Sequence, residues 1–221
     1  MRLELDHVWR TYHVGDEEVV ALRDASVCIE SGELVAVVGP SGSGKSTFLQ
    51  LVGLLDTPSH GAVRFDGRDV GSLDDAERTR VRLESLGFVF QRFHLLQHLT
   101  ALENVMLPME AAGSGVDERF ARGSELLTTV GLGERLRFRP AQLSGGQRQR
   151  VAVARAVANS PSVILADEPT GELHSEDKAR VLDLFKALNQ AGRTIVMVTH
   201  DPDVAGAAHR QVTLRDGILR G

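Results

Sequence analysis

The sequence predicts an α/β fold built on a mainly parallel sheet. Three apolar runs, at residues 34–38, 163–166 and 194–198, alternate along the chain with segments of helical pattern. Parallel strands that are covered by helices on both faces consist of nearly continuous apolar residues, because neither face meets water. The alternation of such runs with helical segments therefore favours a sheet whose strands are joined by helices.

The N-terminal part of the chain has weaker and more alternating apolar patterns. Residues 3–8, 19–22, 25–29 and 62–65 are short segments of this kind. Alternation is typical of strands with one face in water. We therefore expect them to form a small antiparallel β layer beside the main sheet.

From about Arg92 to Ala158 the pattern is mainly helical, with a glycine-rich break at residues 113–115. Helix starts are indicated by Thr100 with Glu103, by Ser144 with Gln147, and by the capping candidates at residues 175 and 201. We interpret residues 92–158 as a helical subdomain inserted into one domain of 221 residues. Residues 1–91 and 159–221 would then form the core of the domain with its β layer.

Composition excludes several classes of protein. The chain has 25 Lys and Arg against 30 Asp and Glu, a net charge of -5, which argues against a nucleic-acid partner. Cys28 is the single cysteine, so neither an internal disulfide nor a cysteine-rich zinc site can form. The start of the chain has no secretory signal pattern, and we expect no segment to span a bilayer. A membrane role would then depend on a partner.

A glycine-rich loop follows the first apolar run and precedes a helical segment. It fits the phosphate-binding pattern G-x-x-x-x-G-K-[ST]. Glycines let successive backbone N–H groups face one anion, and the helix N-terminus adds positive potential. Lys45 would reach the β- and γ-phosphates of a nucleotide, and the Ser46 hydroxyl would bind Mg²⁺. The predicted nucleotide-binding residues are Gly39, Ser41, Gly42, Ser43, Gly44, Lys45, Ser46 and Thr47.

Two adjacent carboxylates, Asp167 and Glu168, end the second apolar run. Neighbouring carboxylates repel each other and lose hydration on burial, so a cation or a substrate is expected beside them. Because successive side chains of a strand point to opposite faces, the two acids can have different roles. Beside a phosphate loop, Asp167 would hold Mg²⁺ and Glu168 would act as the general base on water.

A second glycine motif, Leu143-Ser144-Gly145-Gly146-Gln147, stands before a long helical segment. It can be an ordinary helix cap. It can also be a second phosphate-binding helix start, with Ser144, Gly145, Gly146 and Gln147 facing a nucleotide on another subunit.

In the order and approximate spacing of these motifs, the whole chain resembles the ATP-binding cassette (ABC) family. The resemblance implies ATP and Mg²⁺ as ligands. It also implies that Gln91 contacts Mg²⁺ and that His200 contacts the γ-phosphate, both with catalytic roles beside Lys45 and Glu168. Tyr12 stands where the family places an aromatic ring against adenine, and Trp9 is an alternative.

One residue departs from the family pattern. His174 stands where the family usually has an aspartate that takes part in communication across a dimer. We therefore expect weaker coupling between two ATP sites while ATP binding is kept.

The resemblance further implies a head-to-tail dimer around two ATP molecules and a separate membrane permease. That permease would hold the protein at the cytoplasmic face of the inner membrane as a peripheral subunit. Its docking surface would lie between Phe90 and Leu99. Residues 87–91 and 99–108 are similar to the lipoprotein-release and macrolide-export group, which suggests an exporter or a mechanotransmission system with a lipoprotein, peptide, antibiotic or haem cargo. The alternatives are an amino-acid-type importer, a cell-division regulator of wall hydrolases, and a soluble ABC protein acting on ribosomes or DNA.

Overall fold

The structure is a computed structural model that describes residues 1–15 and 17–220. Within these residues the chain forms ten strands and seven α-helices. The strands are β1 (Leu3–Val14), β2 (Glu17–Ile29), β3 (Leu34–Val38), β4 (His60–Phe65), β5 (Arg68–Asp69), β6 (Leu86–Phe90), β7 (Val163–Asp167), β8 (Thr194–Thr199), β9 (Arg210–Arg215) and β10 (Ile218–Arg220). The helices are α1 (Lys45–Val52), α2 (Asp75–Ser85), α3 (Ala101–Ala111), α4 (Val116–Thr129), α5 (Gly145–Ala156), α6 (Ser175–Gln190) and α7 (Pro202–Gly206).

The central sheet has the strand order β10-β9-β3-β8-β7-β6. All neighbours from β9 to β6 are parallel, and only β10 runs antiparallel to its neighbour. The mainly parallel sheet is thus confirmed, and the three predicted apolar runs are its strands β3, β7 and β8. The structure extends β7 to Asp167 and β8 to Thr199, which places both residues at the same carboxyl edge of the sheet.

The second sheet is antiparallel, with the order β2-β1-β4-β5. The expectation of short separate segments was wrong in one respect, because β1 and β2 are continuous strands of 12 and 13 residues. Their pairing shifts register between Leu5 and Thr11, and His7 and Asp24 in this region have positive φ angles. Such bulges interrupt the alternation of side chains. The prediction therefore ended β1 at residue 8 and divided β2 into residues 19–22 and 25–29.

The helices α3, α4 and α5 lie between β6 and β7 in the chain, as predicted for the inserted segment. Reciprocal hydrogen bonds between Thr100 and Glu103 and between Ser144 and Gln147 confirm both capping boxes. The Asp201 cap is also confirmed. The predicted cap at Ser175 is wrong: Ser175 is already helical, and His174, with an extended backbone, is the residue before the helix.

Apolar side chains form two cores, one on each face of the central sheet. One core joins α3, α4, α5 and α6 to the sheet, and the other joins α1 and the antiparallel layer to the opposite face. The inserted helices therefore share a continuous core with the sheet. The division at residues 91 and 159 stays a prediction. No helix within the described ranges is both long and apolar enough to cross a membrane.

Candidate functional site

The glycine-rich loop turns from the end of β3 into α1. Gly42 and Gly44 have φ angles of +79° and +104°, which residues with a side chain rarely adopt. A Cβ atom on Gly44 would also lie 2.5 Å from the carbonyl oxygen of Ala21. Gly44 is the residue before α1, so this backbone directs the helix N-terminus and its free N–H groups toward the loop.

The ammonium group of Lys45 is folded over this loop. Its Nζ donates to the carbonyl oxygens of Gly39, at 2.8 Å, and Pro40, at 3.0 Å, and the residue is only 8% exposed. Among the described residues, no carboxylate forms an ion pair with Lys45. A buried cation whose partners are neutral carbonyls suits the binding of an anion such as a phosphate.

Asp167 lies at the end of β7, where its carboxyl group is partly buried. Burial, helped by the negative charge of Glu168, raises the pKa of Asp167, and the positive charge of Lys45 opposes this effect. The folded chain alone therefore disfavours the ionised form of Asp167. A bound cation would favour that form, which is the electrostatic property expected of a metal ligand.

Glu168 forms a tight group with the end of β8. One carboxylate oxygen lies 2.7 Å from Nδ1 of His200, and the other accepts a hydrogen bond from the Thr199 hydroxyl at 3.1 Å. Glu168 has a φ angle of +43°, an unfavourable conformation for a residue with a side chain. Strained residues of this kind cluster at active sites, where the surrounding contacts hold them in place. The carboxylate of Glu168 is thus fixed, while His200 is 66% exposed and can meet a ligand.

Most of the predicted residues meet in one cleft of about 610 Å³ at the carboxyl edge of the sheet. The predicted residues in its lining are Ser41, Gly42, Gly44, Lys45, Ser46, Thr47, Gln91, Asp167, Glu168 and His200. Gly39 and Ser43 belong to the loop but do not line the cleft. Gly39 instead packs against the carbonyl oxygen of Leu214, and the Ser43 side chain is buried. Sequence reasoning missed residues 19–21 of β2, which also line the cleft, because apolar strand residues carry no distinctive signal.

Tyr12 lies on β1, outside the lining of this cleft. Its hydroxyl donates to a carboxylate oxygen of Asp56 at 2.9 Å, and the guanidinium carbon of Arg10 lies 4.5 Å from its ring centre. Trp9 is 37% exposed on the same strand. The contact of either ring with adenine stays a prediction.

The second glycine motif forms the N-terminus of α5 and is not part of the cleft. The Ser144 hydroxyl and the Gln147 side chain cap each other's backbone N–H groups. A Cβ atom on Gly146 would lie about 2.0 Å from the carboxyl group of Asp177, whereas one on Gly145 would be 3.7 Å from its nearest neighbour. Packing within the chain therefore explains the glycine at 146. No contact of the described residues explains the one at 145.

Gln149, on the buried face of α5, connects the segment that carries Gln91 with the segment that carries Glu168. This fully buried side chain donates to the carbonyl oxygen of Pro169 at 2.5 Å and to that of Phe90 at 3.5 Å. Those carbonyls belong to the residue after Glu168 and the residue before Gln91. Sequence reasoning missed both Gln149 and Thr199, since a bond between distant residues leaves no local pattern.

Comparison with known proteins agrees with this geometry. A family model described as "ABC transporter" matches residues 22–171. The chain is 50% identical over 215 residues to the "Macrolide export ATP-binding/permease protein MacB 1" of Yersinia pestis bv. Antiqua. That match covers 97% of this chain and 33% of the relative, so the chain spans about a third of the length of these MacB proteins.

A relative of similar size is the "Uncharacterized ABC transporter ATP-binding protein" of Thermotoga maritima. It is 49% identical over 219 residues, which cover 99% of this chain and 94% of the relative. Among solved structures, the dimeric bacterial ABC transporter cassette MJ0796 has a TM-score of 0.92 at 45% identity, covering 99% of this chain and 97% of that one. Its dimeric post-hydrolysis state bound to ADP and Pi also has a TM-score of 0.92, at 44% identity and the same coverage.

Proposed function

The chain belongs to the ABC transporter family and is an ATPase cassette of it, and we propose that it dimerises around two ATP molecules and drives a separate membrane permease. The transporter would be an exporter or a mechanotransmission system, with a lipoprotein, peptide, antibiotic or haem cargo. The observation that carries this proposal is the convergence of the phosphate loop with Asp167, Glu168 and His200 in one cleft.

Phosphate binding rests on the loop and on Lys45. The glycine backbone and the N-terminus of α1 supply N–H donors, and the Lys45 ammonium supplies a positive charge that no carboxylate of the described chain neutralises. Arrival of a nucleotide would give the Lys45 ammonium a charged partner in place of its present carbonyls.

Mg²⁺ fits the donor set of this cleft. Ser46, Gln91 and Asp167 all line it, and they offer hydroxyl, amide and carboxylate oxygens, which are the ligands that Mg²⁺ prefers. When bound, the ion would neutralise charge on the β- and γ-phosphates. Asp167 would contribute its ionised carboxylate, the form that burial disfavours until a cation is present.

Glu168 would take a proton from the attacking water. Its two oxygens are held by Thr199 and His200, so the carboxylate is oriented before substrate arrives. The exposed His200 side chain would reach the γ-phosphate, either while it stays bonded to Glu168 or in place of that bond. Glu168 and His200 follow the ends of the adjacent parallel strands β7 and β8, so they lie side by side at one edge of the sheet.

A second copy of the chain would complete the site. The glycine motif at the start of α5 is outside the cleft of its own chain, and a Cβ atom on Gly145 would be 3.7 Å from its nearest neighbour. A head-to-tail pair would bring the Ser144 end of each α5 to the nucleotide of the other copy. The dimeric arrangement of MJ0796 supports this proposal.

The permease would dock beside Gln91, between Phe90 and Leu99. A second cleft of about 430 Å³ includes Phe90 and His94 in its lining, while Phe93 and Leu95 are buried in the core. The MacB relatives are ATP-binding/permease proteins, whereas the relative from Thermotoga maritima has the size of this chain. A separate permease that docks there would place this chain at the cytoplasmic face of the inner membrane. The net charge of -5 argues against a nucleic-acid partner.

The chemistry is tested with Glu168→Gln and Lys45→Ala. We expect Glu168→Gln to lower ATP hydrolysis by about 10²- to 10⁴-fold, since a general base contributes that much, while ATP binding is kept. ATP should shift this variant to a dimer in light scattering after size exclusion. Lys45→Ala should lose ATP binding and stay monomeric, and Lys186→Ala, which changes an exposed lysine on α6, is the control. A Glu168→Gln protein that stays monomeric at saturating ATP would contradict the dimer.

The transport class is tested by purifying tagged Glu168→Gln from native membranes in mild detergent with ATP. A permease with few spans and a large outer domain supports the exporter or mechanotransmission proposal. A many-span permease that arrives with a binding protein would instead make the chain an importer subunit, with the nucleotide chemistry unchanged.

A further inference from the structure

Gln91 lies in a tight and strained turn. The N–H of Phe93 donates to the carbonyl of Phe90 at 3.2 Å, which makes Gln91 the second residue of a four-residue turn. Phe93 and His94 follow with φ angles of +59° and +47°. Positive φ angles at two consecutive non-glycine residues are unfavourable, so other contacts must hold the turn.

Arg155 supplies such contacts. Its guanidinium donates to the carbonyl of His94 at 2.6 Å and to that of Phe93 at 2.9 Å. The planar fork of arginine suits two neighbouring acceptors, and its charge strengthens both hydrogen bonds. Arg155 lies in the last turn of α5, the helix whose first turn carries the glycine motif.

Two more residues of α5 hold the same turn. Gln149 donates to the carbonyl of Phe90, at the start of the turn, and to that of Pro169 beside Glu168. The guanidinium carbon of Arg148 lies 5.1 Å from the ring centre of Phe93. Arg148 and Arg155 are seven residues apart, close to two helical turns, so they lie on one face of α5.

We infer that Arg155 is a positioning residue for ATP hydrolysis, which holds Gln91 in place by fixing the strained turn at Phe93 and His94. This inference rests on the proposed function, because Gln91 matters there as a ligand of Mg²⁺. Since Ser144 is the N-cap of the same helix, a displacement of α5 would also move Gln91 of its own chain. Helix α5 thus connects the glycine motif at its first turn to the side of the cleft that holds Gln91.

Arg155→Met is compared with Arg150→Met. Arg150 is on the same helix and also donates to a backbone carbonyl, that of Val130 at 3.0 Å, but this contact is away from the cleft. We expect Arg155→Met to lower kcat about 10-fold, because small displacements of catalytic groups have large effects. The Mg²⁺ concentration for half-maximal rate should rise, while KM for ATP changes by less than about twofold. Arg150→Met should match the wild type in all three quantities.

Two further variants separate positioning from loss of folding. Arg155→Lys keeps the charge but has no planar fork, so its kcat should lie between those of wild type and Arg155→Met. His94→Gly removes the cost of one positive φ angle and should restore part of the rate in the Arg155→Met background.

Three results would overturn the inference. The first is that Arg155→Met and Arg150→Met change these quantities equally. The second is that the loss of kcat among the variants only follows their loss of melting temperature. The third is that Arg155→Met leaves the Mg²⁺ concentration for half-maximal rate unchanged. A wild-type protein without ATP hydrolysis would instead contradict the proposed function.

Discussion

The phosphate loop and the first turn of α5 are both glycine-rich segments that lead into a helix, yet their surroundings differ. Around the loop, side chains from β7, β8 and the Gln91 turn converge to make a cleft. Around the start of α5, Ser144 and Gln147 cap each other's backbone N–H groups, and both residues lie outside that cleft. The first site has its proposed reacting groups within one chain, whereas the second would need a partner that approaches from outside in order to bind a nucleotide.

Gly145 and Gly146, at the start of α5, also differ in their surroundings. At Gly146 the carboxyl group of Asp177 occupies the space that a side chain would take, so any larger residue there requires Asp177 to move. Gly145 has room for a methyl group, so we propose that a partner, and not packing within the chain, accounts for the glycine there. We therefore propose that the two glycines serve different purposes, Gly146 in packing within the chain and Gly145 in assembly with a partner.

The largest effects are expected from Gly145→Ala and Gly146→Ala. Gly145→Ala should leave stability within about 0.5 kcal/mol and lower ATP hydrolysis about 100-fold, because the methyl group would obstruct a partner's nucleotide. Gly146→Ala should lower the free energy of unfolding by about 1–3 kcal/mol through overpacking. Urea unfolding and phosphate release measure the two effects.

A matched control sharpens this test. Asp177→Ala removes the carboxyl group beside residue 146 and should restore stability to Gly146→Ala but do nothing for Gly145→Ala. If Gly145→Ala hydrolyses ATP at the wild-type rate, the start of α5 is not a nucleotide-binding surface.

A smaller effect is expected at His174, where the residue before α6 makes no capping hydrogen bond. His174→Asp should raise the free energy of unfolding by about 0.5–1 kcal/mol, since an aspartate caps the N-terminus and interacts with the helix dipole. It should also increase the Hill coefficient of ATP hydrolysis by restoring the usual family residue. His174→Asn, which caps without charge, is the control. Unchanged turnover and cooperativity in His174→Asp would contradict the predicted weak coupling.

The smallest effects concern two acids at the edge of the sheet. Burial raises the pKa of Asp167, so the native state binds more protons than the unfolded chain, and stability falls as pH rises above about 4. A hydrogen bond from Lys178 lowers the pKa of Asp201, so its stabilisation is present above about pH 4 and is lost as pH falls further. Without nucleotide, Asp167→Asn should therefore raise stability at pH 7 and Asp201→Asn should lower it.

Urea unfolding at pH 7 and at pH 3 checks both signs, because each difference should shrink at the lower pH. If Asp167→Asn and Asp201→Asn changed the free energy of unfolding in the same direction at pH 7, the predicted difference between the two carboxylates would be wrong.

Local patterns were sufficient for the central strands, the capped helices and the motif residues. Phosphate loops, adjacent acids and capping boxes depend on backbone geometry within a few residues, so their spacing carries the signal. Strand β1 was predicted too short and β2 was divided in two, because their bulges break the alternation on which strand prediction depends. The cap of α6 was misplaced by one residue for a similar reason, as Ser175 is a good capping type but is already helical.

The sequence by itself determined the fold class, the family and the candidate chemical groups, since each follows from residue type and short-range spacing. Only the tertiary structure decided that Thr199 and His200 hold Glu168, that Asp177 accounts for Gly146, and that Gln149 and Arg155 connect α5 to the Gln91 turn. These contacts join residues far apart in the chain. Their geometry depends on how the sheet and helices pack, which no local pattern encodes.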